Sequence, residues 1–561
     1  MKSTSSFANK KVLPWIFLCL VLSLSTLPSR AEKARGIPAE SGREGVWDSG
    51  EKASPADGDR IVFGTIGEAS NLITYLSTDS ASHEVADLIF TALLRYNKNL
   101  EPEAWAAEWY RLEDGGKRML FRLRKGILWE DGVELTAEDV AFTYRLVIDP
   151  KTASPYAEDF LRVKELNVLD RYTIEVIYEE FFARAVATWM SPILPKHILE
   201  GRNIRDTPFS RKPVGAGPYR LKEWQSGSRI VLEASETYFG GRPHIDEVIY
   251  RIIPDDATMF MELRAGRLDV MNLNPLQSLR QTSGNWWDNE FHKYRYLAPV
   301  YIFLGFNLRH PFFSDIRVRK AISLAINRQD IVNGVLLGQG EAAFGPFKPG
   351  SWAYHQKLQP VAQDVAKAEQ MLDEAGFMRK KNGLREKEGR PLAFTILTNQ
   401  GNEQRILTAT LIQSQLAKIG VEAHIRTVEW AAFTREFVHK GNFDAVILGW
   451  TIPQDPDIFQ IWHSSQAHDG GLNFVWYQNA EMDKLLEEGR STPNRAQRTR
   501  IYARIQEILN EEQPYCFLFV PYALPIVQRR FEGIQPALAG IMYNFEKWFV
   551  PKALQRHEVV K

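Results

Sequence analysis

Three helix-forming runs in this chain end on a glycine and give way to an apolar run of strand length. Residues 255–265 are closed by Gly266 before 268–271, residues 364–375 by Gly376 before 394–398, and residues 403–419 by Gly420 before 421–428. Glycine enters the left-handed conformation that stops a helix at little cost, so this punctuation predicts helix and strand in alternation. Residues 61–66, 229–234, 247–253 and 445–449 read as further strands. Thr136-Ala-Glu-Asp139 is a capping box opening a helix with Val140, Ala141, Tyr144, Val147 and Ile148 on one face, ending before Pro150. Such a grammar implies mixed α/β lobes.

At 561 residues the chain is too long for one ordinary domain, and three or four units are expected. Its 69 basic and 69 acidic residues balance, but residues 1–31 carry Lys2, Lys10, Lys11 and Arg30 and no acid, which leaves the remainder slightly acidic. Without a clustered basic surface, nucleic acid is excluded as the main partner. The uncharged run 12–27 behind Lys10-Lys11, followed by Ser29-Arg30-Ala31, reads as a cleaved secretory signal ending at Ala31. A run of 16 residues is short for a membrane span. Leu18 before Cys19 argues against a lipoprotein signal, and after cleavage only Cys516 remains, so no intrachain disulfide is expected. Residues 32–59 read as a flexible leader with order beginning at Arg60.

Several segments in register then resemble the family 5 extracellular solute-binding proteins, the peptide- and nickel-binding subunits of ABC importers. They are Ala137-Glu-Asp-Val-Ala-Phe-Thr-Tyr144, Pro213-Val-Gly-Ala-Gly-Pro-Tyr219 and Tyr238-Phe-Gly-Gly241. Ala265-Gly-Arg-Leu-Asp-Val270, Asp315-Ile-Arg-Val-Arg-Lys-Ala-Ile322, and Gly449-Trp450 with Asp455-Pro-Asp457 continue the series. The resemblance implies an α/β, two-lobed fold of the type II periplasmic-binding-protein kind, with a hinged cleft and an extra inserted subdomain. Lobe I is expected at 60–92, 201–300 and 515–561, the inserted subdomain at 93–200 and lobe II at 301–514, with crossings near 301–307 and Pro514. It further implies a periplasmic monomer that binds oligopeptides and hands them to a membrane permease.

Aromatic walls are the part of such a cleft that a sequence can suggest, and this chain has 15 tryptophans. Trp450 ends a strand where the family lines its cleft, and Trp430, Trp462, Phe344 and Tyr301 are weaker candidates of the same kind; each has core packing as its alternative. Trp286 and Trp287, in an apparent loop, are assigned to inter-lobe packing or to no role. In the family's dipeptide binders an aspartate a few residues after Gly-Trp pairs with the ligand amine. Here Ile452 and Pro453 stand in that place, leaving Asp455 as the candidate and turn formation as its other role. The arginine that meets the ligand carboxylate in those proteins is expected near Asn399, and none occurs before Arg405. Both departures favour longer peptides over dipeptides.

Other chemistries leave little trace. His463 and His468 are five apart, with His424 and His439 elsewhere, so no protein-built metal site and no cofactor is expected, although a nickel chelate carried by a small ligand stays open as an alternative. There is no Gly-x-Ser-x-Gly elbow, Glu51 stands where a phosphate loop needs lysine, and Pro218 breaks the Gly215-x-Gly217 pattern as a dinucleotide loop. The protein is therefore expected not to be an enzyme. A hydrolase with an unmarked carboxylate pair and a secreted chaperone-like peptide binder remain as readings of a different class.

Overall fold

The computed structural model describes residues 54–358, 361–452 and 454–557. The expected signal segment, the leader as far as Ala53, and Pro453 lie outside them. Two large mixed sheets organise the chain. The first has seven strands in the spatial order Phe291–Lys293, Pro525–Gln528, Val270–Asn272, Arg60–Thr65, Glu247–Ile252, Arg229–Ala234, Tyr219–Gln225. The second runs Tyr296–Leu297, Tyr515–Ala523, Val300–Phe306, Ala445–Thr451, Ala393–Asn399, Glu422–Val428, with Gly340–Ala342 also paired to 515–523. Between residues 107 and 178 four antiparallel strands form a separate sheet, covered by the helix Ala137–Ile148.

The chain passes between the large sheets twice, and both passages are only a few residues long. Lys293 pairs with Ile526 in the first sheet, whereas Tyr296 pairs with Ala523 in the second. The Tyr294 amide donates to the Pro525 carbonyl at 2.9 Å, binding the two crossings to each other. This moves the expected borders. The strand Tyr515–Ala523 belongs to the second sheet, where its apolar residues pack against 300–306, and not to lobe I; the crossings lie at 293–296 and 523–525 rather than near 301–307 and Pro514.

The leader also ends earlier than expected. Asp59 is fully buried, and its carboxylate is held by Arg530 and by the Arg556 amide at 2.9 Å. Arg530 reaches Asp269 at 2.9 Å as well, and Asp269 accepts from the Val62 amide at 2.8 Å. One guanidinium therefore fastens the strand Arg60–Thr65, the end of 265–270 and the C-terminal segment together, giving each buried charge a partner.

The helix punctuation is as read. Thr136 and Asp139 form the reciprocal cap, Asp255, Asp364 and Asn402 cap the three helices, and Gly266, Gly376 and Gly420 have φ of +71°, +89° and +77°. Trp286 and Trp287 lie on a short helix, Asn285–Glu290, rather than a loop, and Trp287 stacks on Phe260 inside the first lobe, 5.4 Å between centroids, with no part in inter-lobe packing. Gly215 and Gly217 are explained by contact: a Cβ on Gly215 would fall 1.9 Å from the Ile89 carbonyl oxygen, at the end of the helix Ser80–Ile89. Because that neighbour is backbone and cannot swing away, Gly215→Ala is expected to lower stability by about 3 kcal/mol, read as a fall in the denaturant midpoint at unchanged slope.

Candidate functional site

Each large sheet contains three mutually parallel strands: 60–65, 247–252 and 270–272 in the first, 393–399, 422–428 and 445–451 in the second. Ligands of open α/β sheets gather beyond the carboxyl ends of such strands. Here the two sets of carboxyl ends face each other. Gly67, just past the first strand, lies against the Trp430 ring, 2.8 Å from where its Cβ would be. Gly401, past strand 393–399, abuts the Pro254 carbonyl oxygen, past strand 247–252. Asn274 donates to Glu403 at 3.1 Å, and the Glu403 amide points at Asp256 at 3.4 Å. Thr78 and His439 meet at 2.7 Å. The cleft is closed, and its rims are made of loops that follow strands.

The candidates from the sequence divide into two groups around this cleft. Asn399 and Trp430 stand at or just beyond the strand ends. Asn399 accepts from Arg405 Nη1 at 2.8 Å, and the Trp430 indole N–H is sealed from solvent with no partner among the described residues. Trp450 is half-buried; its Nε1 donates to Tyr515 Oη at 3.2 Å and its ring stacks on Phe474. Tyr301 and Trp462, at 1% and 0% exposure, sit deeper. They are enclosed with Tyr515 and Phe517 in one aromatic core, the packing that the sequence left as their alternative role. Phe344 stands apart, under the Arg328 guanidinium at 5.4 Å.

Asp455 is engaged. Both its oxygens take hydrogen bonds from Arg498, at 2.9 and 2.7 Å, and one also accepts from the Asp457 amide at 3.2 Å, the turn that the Asp-Pro-Asp sequence favours. Asp457 enters a larger cluster. Its carboxylate takes Arg490 Nε at 2.9 Å, while Arg490 also binds Asp159, from the region of the four-stranded sheet. Arg184 lies 3.1 Å from Asp159 and 3.9 Å from Asp457, and the Ala183 amide donates to the Arg490 carbonyl at 2.8 Å. Burial pushes the Asp159 carboxyl up while Arg184 and Arg490 oppose it, and for Arg184 the three surrounding aspartates outweigh burial and raise its pKa. Sequence reasoning missed this cluster, because Arg490 and Asp159 are 331 residues apart and neither sits in a motif.

Among the described residues no three His, Cys, Asp or Glu side chains converge as a metal would require, and no helix is long and apolar enough to cross a membrane.

Comparison with known proteins follows the same lines. The sequence profile described as bacterial extracellular solute-binding proteins, family 5 Middle, matches residues 101–471. The oligopeptide-binding protein AppA of Bacillus subtilis is 35% identical over 530 residues, covering 92% of this chain and 96% of its own. Its structure in complex with a nonapeptide superposes with a TM-score of 0.85 at 34% identity, covering 89% of this chain and all of that one. NikZ of Campylobacter jejuni, solved with Ni(L-His), gives a TM-score of 0.80 at 26% identity, covering 88% of this chain and 99% of its own.

Two inter-lobe contacts make the closure testable. Gly401 has φ +81°, and a Cβ there would fall 1.5 Å from the Pro254 oxygen. Gly401→Ala should cost about 1–2 kcal/mol of backbone strain and, beyond that, hold the lobes apart, so scattering should show less compaction than in the wild type under every condition. Asp256 is pushed up to about 6, first by burial and then by the charges of Glu403 and Asp255, against the bond from the Glu403 amide. Its proton therefore binds more tightly in the closed form than in an open form where the carboxyl is hydrated and near 3.9. Closure gains this contribution in full below pH 4 and loses it as pH rises through 6. The closed fraction should fall between about pH 4 and 6, and Asp256→Asn should flatten that dependence.

Proposed function

Because the chain belongs to the bacterial extracellular solute-binding proteins of family 5, we propose that it is the exported substrate-binding component of an ABC importer, taking oligopeptides between its lobes and delivering them to a membrane permease. The observation that carries this reading is the end-to-end similarity to an oligopeptide binder at 35% identity, on a fold whose nonapeptide complex matches at a TM-score of 0.85. The geometry supports it: two walls from different sheets, short paired crossings, and rims that meet through loops are what a hinge needs to close on an extended ligand. A ligand touching both walls gains contacts that the open form lacks, and the population shifts toward the form a permease can recognise.

In this reading the protein is an exported monomer that leaves its ligand intact, with the basic and apolar N-terminal residues acting as a cleaved signal. Asp455, held on both oxygens by Arg498, shapes the loop behind the ligand rather than anchoring an amine. Main-chain hydrogen bonds and aromatic contacts such as Trp450 then carry affinity. A nickel chelate is the second reading, favoured by the NikZ complex with Ni(L-His).

A peptide at about 100 times its dissociation constant should stabilise the protein by roughly 2.7 kcal/mol, visible as a melt shift with the peptide recovered uncleaved. If peptides of two to nine residues give none while Ni(L-His) does, the second reading replaces the first. Calorimetry should show N-acetylation of a good peptide changing affinity less than about fivefold, under 1 kcal/mol, and Trp450→Ala weakening binding more. An acetylation penalty that disappears in Asp455→Asn would instead make Asp455 the amine anchor.

A further inference from the structure

The surface around Trp286 carries apolar area and positive charge that the fold itself does not use. Trp286 stands on the helix Asn285–Glu290 with its ring 4.7 Å from that of the buried Trp287. Trp286, Met261 on the helix Asp256–Arg264, and Leu276 and Leu279 at the turn Gln277–Gln281 are between 42% and 56% exposed. Arg264, one turn from Met261, borders an open hollow of about 470 Å³ together with Trp286, Ser283, Gly284 and Asn285. Arg264 and Arg280 are exposed and have no carboxylate partner among the described residues, and residues 270–287 contain no acid. Of the acids on the border, Glu262 is taken by Arg251 and Arg267 at 2.6 Å each, and Asp288 by Lys293 at 2.7 Å. Glu290, one turn after Trp286, is exposed without a counter-charge among the described residues. This surface adjoins the mouth of the cleft: the Gln277 amide donates to Asn274 Oδ1 at 2.9 Å, and Asn274 reaches Glu403 of the opposite lobe at 3.1 Å.

We propose that this face is where the protein rests on a membrane, with Trp286 and the aliphatic side chains at the level of the lipid headgroups and Arg264 and Arg280 against the phosphates of anionic phospholipid. The proposal does not depend on which solute the cleft takes. A half-exposed tryptophan and leucines set between arginines have the composition of an interfacial anchor, in which the ring is wet at one end and apolar at the other. Each arginine brought to an anionic leaflet contributes attraction worth about fivefold in affinity. A protein partner is registered by charges of both signs, whereas here the arginines outnumber the one free acid and a lipid surface is negative everywhere. A second copy of the chain fits less well: a two-fold contact brings two arginines and one glutamate from each copy, so cations again exceed the acids that could receive them.

The test sediments the whole mature protein with vesicles of phosphatidylcholine alone and of equal parts phosphatidylcholine and phosphatidylglycerol, at low and at high salt, and measures its mass in solution by light scattering. Wild type should bind the mixed vesicles at least tenfold more strongly than the neutral ones at low salt, and lose most of that preference at high salt through screening. Arg264→Gln combined with Arg280→Gln should lower binding to mixed vesicles at least tenfold, and Trp286→Gln at least fivefold. Glu290→Gln should raise it about twofold, because it removes a like charge from the anionic surface; a residue with only a structural role would not act in that direction. Thermal melts confirm that each variant is folded, and the exposed arginine pair and Glu290 keep the test open should Trp286→Gln fold poorly. A wild type that binds neither kind of vesicle overturns the proposal and leaves the face to a protein partner. Binding that persists undiminished in both the arginine pair and Trp286→Gln overturns it as well. A dimer in solution that Trp286→Gln separates assigns the face to a second copy instead of a lipid surface.

Discussion

A guanidinium with 1% of its side chain exposed has to be neutralised where it lies, and Arg490 is neutralised by two carboxylates from distant parts of the chain. Asp457 belongs to the turn after the strand Ala445–Thr451, and Asp159 to the helix Ala157–Leu161 beside the four-stranded sheet. Breaking either pair while the rest stays closed leaves a buried charge, a loss of about 3–5 kcal/mol. The arrangement of the lobes in this structure therefore depends on these two contacts being made together. The Phe459 ring lies 4.1 Å from the guanidinium, and the Ala183 amide donates to the Arg490 main-chain carbonyl.

That contact involves no ligand, whereas the rim around Glu403 is built differently. There two carboxylates, Asp256 and Glu403, approach each other from opposite lobes. Closure is thus helped in one place by opposite charges and hindered in another by like charges. A two-state hinge follows the sum of such terms, and a ligand moves it only by what it adds to the closed form alone. With a fixed attraction already supplied by Arg490, a ligand needs few further contacts to tip the balance.

The parts of this architecture legible in the sequence were those written locally. Helix caps and stops depend on one or two residues near each other, so Thr136 with Asp139 and the glycines at 266, 376 and 420 sufficed to place them. The strand Tyr515–Ala523 was assigned to the wrong lobe because sheet membership is a property of its partner, Val300–Phe306, more than 200 residues away. Tyr301, Trp430 and Trp462 read alike as aromatics in or beside strands, weaker candidates than Trp450. Only packing separates Trp430, resting on the glycine of the opposite lobe, from Trp462, enclosed at 0% exposure. The same holds for charges: Asp455 was visible as a candidate, but Arg498, the residue that occupies it, carries no mark in the sequence.

The two glycines at the rim, Gly67 and Gly401, show why the lobes can meet so closely. Each lies just past a parallel strand, and each is met by something rigid, an indole ring in one case and a main-chain carbonyl in the other. A side chain at either place would hold the strand ends apart and leave the space between them to water. With glycine there, the loops beyond the carboxyl ends of the two parallel sets come into direct contact. At these ends the main chain is knitted together within each lobe, the Ile253 amide donating to the Thr65 carbonyl at 2.8 Å and the Gln400 amide to the Val428 carbonyl at 2.7 Å.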